Sequence, residues 1–150
     1  MAFAFEEALQ FVLKWEGFIS NDPHDPGQLT IWGISYKSHR EKVLEMEKLL
    51  DEGKKVEAFE IAKKIYFENY WKGTDCDIWD FPLNLIVFDT AVNLGVSRAK
   101  IFNLTNRGWL DYLFLRIDYY TKLENFKYFG RGWINRVIAL YNLIKIEMDK

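Results

Sequence analysis

Glu16-Gly17-Phe18-Ile19-Ser20-Asn21-Asp22-Pro23-His24-Asp25-Pro26-Gly27, running on to Thr30 and Gly33-Ile34, is the stretch on which the reading of this chain turns. It opens where a helical pattern stops. Phe5, Leu9 and Val12 recur at spacings of four and three, so Glu16 continues the apolar face of a helix rather than its solvent face. A carboxyl in that place is partly desolvated, which disfavours its charged form and suits a general acid working near neutral pH. Asp25 lies in a polar Pro-Gly loop and is expected to stay ionised. Two carboxyl groups whose surroundings push their acidities apart are what glycoside hydrolysis uses: one protonates the leaving oxygen while the other positions water or attacks.

Each piece also has a structural reading. A Glu-Gly pair is a common helix end, because glycine adopts the left-handed cap, and Asp-Pro-Gly is an ordinary turn. The ordered combination is more specific: a helix-end Glu, nine residues to an Asp, five more to a Thr, then Gly-Ile.

Taken together, residues 16–34 resemble the signature of the glycoside hydrolase family 108 muramidases, with Asn21-Asp22-Pro23, Asp25-Pro26-Gly27, Thr30 and Gly33-Ile34 in register. Phe18, Ile19 and Gln28 depart from it, replacing a glycine, an aromatic residue and a second glycine. The first and third of these remove backbone freedom, so a stiffer or differently bent loop is expected. Tyr70-Trp71, the segment Phe88-Asp89-Thr90-Ala91-Val92-Asn93-Leu94-Gly95-Val96, Arg98-Ala99, Tyr119-Tyr120 and Gly132-Trp133-Ile134-Asn135-Arg136-Val137 extend the resemblance over most of the chain. Between Gly95 and Gly108 the chain is shorter than the family pattern. The resemblance therefore implies one lysozyme-like domain over 1–150, with a catalytic part at 1–95 and, at 96–150, C-terminal helices resembling a shortened peptidoglycan-binding region.

The roles it implies are Glu16 as acid, Asp25 as stabiliser or base, and Thr30 holding the water. The substrate is the glycan strand of peptidoglycan, cut between N-acetylmuramic acid and N-acetylglucosamine. Trp32, Tyr70 and Trp71 are candidate stacking surfaces, although Trp71 reads equally as core. Asp89 and Asn93 lie four apart on one face of an apolar helix. Buried polar groups need partners, so either Asp89 pairs with an arginine, Arg98 or Arg136, or with a helix end, or one or both residues sit on the groove floor against sugar. A hydrolase of another aminosugar polymer, such as chitosan, and a non-catalytic glycan-binding module are the competing readings. The intact Glu16, Asp25 and Thr30 count against the second.

Composition bounds the remaining possibilities. A net charge of −2 and the lack of a Lys/Arg-rich stripe argue against nucleic acid as a partner. One cysteine, Cys76, allows no internal disulfide, and two separated histidines, His24 and His39, do not suggest a metal site. No cofactor is expected. No apolar run is long enough to span a bilayer and no export signal is evident at the N-terminus. The expectation is a monomer that accumulates in the cytoplasm and acts at the wall, as a phage-type endolysin does.

Helical periodicity dominates the rest. Helices are predicted over 36–51 and 55–70, split at Glu52-Gly53, with their charges forming a solvated face. A loop is predicted over 74–82 and a helix buried on most sides over 83–94. A short helix N-capped by Ser97 and helices over 107–122 and 134–148 complete the chain, and 29–35 is predicted as a short strand or hairpin edge. The fold class is mainly α, with a small β or turn lobe.

Overall fold

The computed structural model describes residues 3–21 and 28–150. Residues 22–27, Asp25 among them, lie outside the described residues. The first helix, α1 (Phe5–Glu16), starts with Glu6 and Glu7 in its first turn, where carboxylates favour the positive end of the helix dipole. Glu7 reaches back to accept a hydrogen bond from the Ala4 amide at 3.1 Å. The helix stops at Gly17, which takes a φ of +70°. Its apolar side, Phe5, Ala8, Leu9, Phe11 and Val12, is buried, as the spacing predicts.

Next comes a three-stranded antiparallel sheet of very short strands, β1 (Ile19–Ser20), β2 (Thr30–Ile31) and β3 (Ile34–Ser35), in the order β1-β2-β3. Ser20 is paired with Thr30, and Thr30 with Ser35. Gln28, where the family pattern has glycine, takes the left-handed φ of +62° that a glycine would adopt at less cost.

Helices α2 (Arg40–Asp51) and α3 (Lys55–Ile65) form a hairpin whose inner residues Val43, Met46, Ala58, Ala62 and Ile65 are buried. The helix predicted over 55–70 does not stay α-helical. It widens at Tyr66–Trp71 into a π-helical turn, and 3₁₀ turns at Lys72–Thr74 and Cys76–Ile78 occupy much of the predicted loop. Then follow α4 (Leu83–Leu94), α5 (Val96–Thr105), α6 (Trp109–Thr121) and α7 (Phe126–Met148).

α4 is the axis of the molecule. It packs against α1, α5, α6 and the π-helical turn, and Asn84 to Ala91 are all buried, which is why the segment reads as apolar on nearly every side. Phe88 at its centre meets Phe5, Trp71 and Tyr66 at ring separations of 5.7, 5.5 and 6.2 Å, all edge-on, so the high aromatic content is in large part a core. α2 begins at Arg40, four residues later than expected, and two further boundaries differ from expectation. Ser97 lies inside the first turn of α5, whose cap position is Gly95. α7 begins eight residues before Ile134, through Gly130 and Gly132, which argue against a helix by propensity. Gly130 is held there by packing: a Cβ on it would lie 2.5 Å from the Phe126 ring, and its absence lets that ring fold back over the helix toward Trp133.

Candidate active site

Glu16 closes α1, and its side chain is 20 % exposed. Two elements converge on it. The first is the β2–β3 turn, Trp32-Gly33, in which both residues take positive φ, +47° and +80°. A Cβ at Gly33 would lie 2.7 Å from Glu16 Cβ, 2.8 Å from its Cγ and 2.6 Å from Tyr66 Oη, so only glycine lets the hairpin lie flat on the glutamate stem. Tyr66 Oη donates to the Trp32 carbonyl and ties the hairpin to the π-helical turn. π-helical turns recur at functional sites, and this one brings both Tyr66 and Tyr70 close enough to feel the Glu16 charge. Burial pushes the Tyr66 phenol well above its ordinary value and raises that of Tyr70, and the Glu16 charge adds to both.

The second is α7. Arg136 Nη1 donates to Glu16 Oε1 at 2.7 Å, and the rest of the guanidinium is turned inward onto Asp89. Nε reaches the two Asp89 oxygens at 3.0 and 3.2 Å and Nη2 reaches Oδ1 at 2.7 Å. On the far side of Asp89, Arg116 Nη2 lies 2.7 Å from Oδ2. Arg116 in turn donates to Tyr120 Oη at 2.9 Å and to Thr90 Oγ1 at 3.0 Å, and Tyr120 Oη donates to Asn93 Oδ1. The result is a chain of alternating charge, Glu16–Arg136–Asp89–Arg116, running from the surface into the core. Burial alone would raise the Asp89 pKa, and the guanidiniums of Arg136 and Arg116 more than offset it, holding the carboxyl below its usual range. The same pairing raises Arg136 against the opposing effect of burial.

This geometry sorts the candidate residues. Asp89 is fully buried and held by Arg136 and Arg116, so the groove-floor reading gives way to the paired one; no surface of it is left for a sugar. Of the two arginines considered, Arg136 is a partner, while Arg98 lies 4.4 Å over the Tyr119 ring. Trp71 is core, 2 % exposed, with its indole N–H donated to Asp77 at 2.7 Å, and offers no stacking face. Trp32 is also buried, under Phe18 at 4.8 Å and against Phe59 at 5.2 Å, so it too lacks an open face. The ring left exposed over it is Phe18, one of the residues that departs from the family pattern, and Lys55 Nζ sits 4.6 Å above that ring. Tyr70 is half-buried near Glu16, with its hydroxyl 3.5 Å from His39 Nε2. Asn93 is half-buried, its side-chain oxygen taken by Tyr120. Thr30 is on the hairpin that packs on Glu16, with Oγ1 3.5 Å from the Ser20 carbonyl. Asp25 lies outside the described residues.

Arg116, Tyr66 and the role of Gly33 escape a reading by periodicity. The one signal for Arg116 is an arginine in the apolar run Leu113-Phe114-Leu115-Arg116-Ile117, which in a buried helix demands a carboxylate partner. Both arginines come from helices beyond residue 95, so the C-terminal part shares one charged core with the segment that carries Glu16. Gly33→Ala is expected to disturb activity more than stability. Roughly 1–3 kcal/mol of backbone strain is added to a clash whose relief moves the Glu16 stem. Thermal melts beside turnover rates check this, and an Ala variant with full turnover would mean that the hairpin does not set Glu16.

The sequence profile of the Glycosyl hydrolase 108 family matches residues 9–95, more than half of the chain. Among solved structures, that described as "Structure of Brucella abortus SagA" superimposes with a TM-score of 0.71 at 23 % identity, covering 94 % of this chain and 93 % of that one, which shows a shared fold. No curated protein sequence gives a significant match.

Proposed function

The chain belongs to the glycosyl hydrolase 108 family and is a glycosidase of the peptidoglycan-degrading kind, and from that premise we propose that it is a muramidase, cutting the β-1,4 bond between N-acetylmuramic acid and N-acetylglucosamine with Glu16 as its acid. The observation that supports the reading is a half-buried carboxylate at the end of α1, pinned between the Gly33 turn and Arg136. In the proposed reaction Glu16 gives its proton to the glycosidic oxygen as the C–O bond breaks. Positive charge gathers at the anomeric carbon and is stabilised by Asp25. A water held by Thr30 adds to that carbon, and its proton passes to Asp25. The leaving sugar carries the Glu16 proton away as a hydroxyl, Asp25 releases its proton to solvent, and Glu16 is reprotonated.

The direct experiment is digestion of purified peptidoglycan followed by mass analysis of the new reducing ends. Reducing N-acetylmuramic acid is expected, whereas reducing N-acetylglucosamine or free stem peptide would overturn the bond assignment. The pH dependence follows from the two roles. Rate falls on the acid side as Asp25 takes up a proton and on the alkaline side as Glu16 loses one, giving a bell. Asp25→Asn is expected to lower the rate and weaken the acid limb. An acid limb that stays unchanged in that variant would assign it to another carboxylate.

A further inference from the structure

We infer that Arg136 is a positioning residue for the reaction: clamped by the buried Asp89–Arg116 pair, it holds one N–H aimed at Glu16 and stabilises the negative charge that arrives there when the proton is given up. The inference rests on Glu16 being the acid. Its ground is the division of the guanidinium. Nε and Nη2 are spent on Asp89 in a forked contact that fixes the plane of the group, and Nη1 alone faces Glu16 at 2.7 Å. Asp89 is itself fixed from behind by Arg116, which is anchored to Tyr120 and Thr90. No member of this chain has to reorient when Glu16 changes charge, which is the condition under which a fixed donor favours a transition state.

The alternation of charge also sets the sign. With Glu16 ionised, the four groups sum to zero. With Glu16 protonated, the two guanidiniums exceed Asp89 by one positive charge, which draws the proton off toward the glycosidic oxygen. Asp89 limits that pull, because it takes up most of the Arg136 donors. Among the described residues Tyr66 and Tyr70, from the π-helical turn, also feel the Glu16 charge. Both phenols are raised by burial and stay neutral through the range in which a carboxyl titrates, so they do not account for an alkaline limb.

The test compares wild type with Arg136→Met and Arg136→Lys, measuring kcat and KM against pH on soluble peptidoglycan fragments, with Glu16→Gln beside them. A second readout is the ¹³Cδ titration of Glu16 in glutamate-labelled protein, assigned by loss of its signal in Glu16→Gln. For Arg136→Met we expect kcat to fall on the order of tenfold to a hundredfold with KM nearly unchanged. The alkaline limb and the Glu16 titration should both move up by about one pH unit. Arg136→Lys keeps the charge without the fork and should recover part of both shifts. A folded Arg136→Met whose limb and titration stay where they are in wild type overturns the proposal and leaves Arg136 a structural arginine. If Arg136→Met does not fold, Arg136→Lys decides: a titration and limb identical to wild type with full kcat overturn it, and an upward shift with reduced kcat supports it. Activity surviving in Glu16→Gln would show that the acid itself is misassigned, a different failure from an unmoved titration.

Discussion

Replacing Glu16 by glutamine is expected to lower peptidoglycan hydrolysis by on the order of a hundredfold or more, since proton donation contributes about 10²–10⁴ to such reactions and an amide has no proton to give at this pH. The structure explains why the fold should survive. The glutamine oxygen still accepts from Arg136 Nη1, and Arg136 keeps its charge partner in Asp89. Hydrolysis rates on purified peptidoglycan, read beside circular dichroism and a thermal melt, separate the two effects. Residual activity of more than a few per cent of wild type, in a fold that melts normally, would remove Glu16 from the chemistry.

The second large effect is on stability. Asp89 is the only carboxylate among the described residues that contacts both buried arginines, and replacing it by alanine leaves two guanidiniums facing each other in the core with one fewer negative charge between them. Breaking a buried ion pair from one side typically costs about 3–5 kcal/mol, a large share of the roughly 5–15 kcal/mol that holds a domain together. Urea unfolding is expected to show a fall in unfolding free energy of that size with Asp89→Ala. A loss under about 1 kcal/mol would mean that the charged chain is not a structural support. The pH dependence has a definite sign. Because the Asp89 carboxyl is held below its unfolded value, its contribution is complete above the unfolded pKa and is lost as pH falls through the lower, folded one. The stability of Asp89→Ala should therefore fall less steeply than that of wild type as the pH is lowered.

Asp89→Ala also separates the two kinds of information in this chain. That Asp89 needs an arginine follows from its place in an apolar helix, because an unpartnered buried charge is not tolerated. That the partners are Arg116 and Arg136 together, and that the second of them also holds Glu16, depends on how α6 and α7 cross α4, and no spacing along the chain encodes that crossing. The aromatic residues divide in the same way. Trp32, Tyr70 and Trp71 are equivalent as letters, since any of them serves a core or a groove. Packing buried Trp32 under Phe18, sent Trp71 into the cluster around Phe88, and left Tyr70 half-open beside the acid.

Local chemistry was written plainly in the sequence. The amphipathic spacing of Phe5, Leu9 and Val12, the Glu16-Gly17 stop, the apolar run from Leu83 to Leu94 and the hairpin between Leu29 and Ser35 each follow from short-range rules of burial, capping and turn geometry, and each stands in the fold. So did the mainly helical class and the small sheet beside the helix that ends in Glu16. What tertiary structure alone decided were the long-range consequences: the widening of the 55–70 helix into a π-helical turn at Tyr66–Trp71, the continuation of α7 through Gly130 and Gly132, and the reach of Arg136 across 120 positions to Glu16. Each of these is settled by contacts between distant segments. Side-chain packing and charge pairing in the interior outweigh the few tenths to one kcal/mol by which local propensity prefers one backbone conformation to another, so in these places the partner, and not the residue's own neighbours, fixed the outcome.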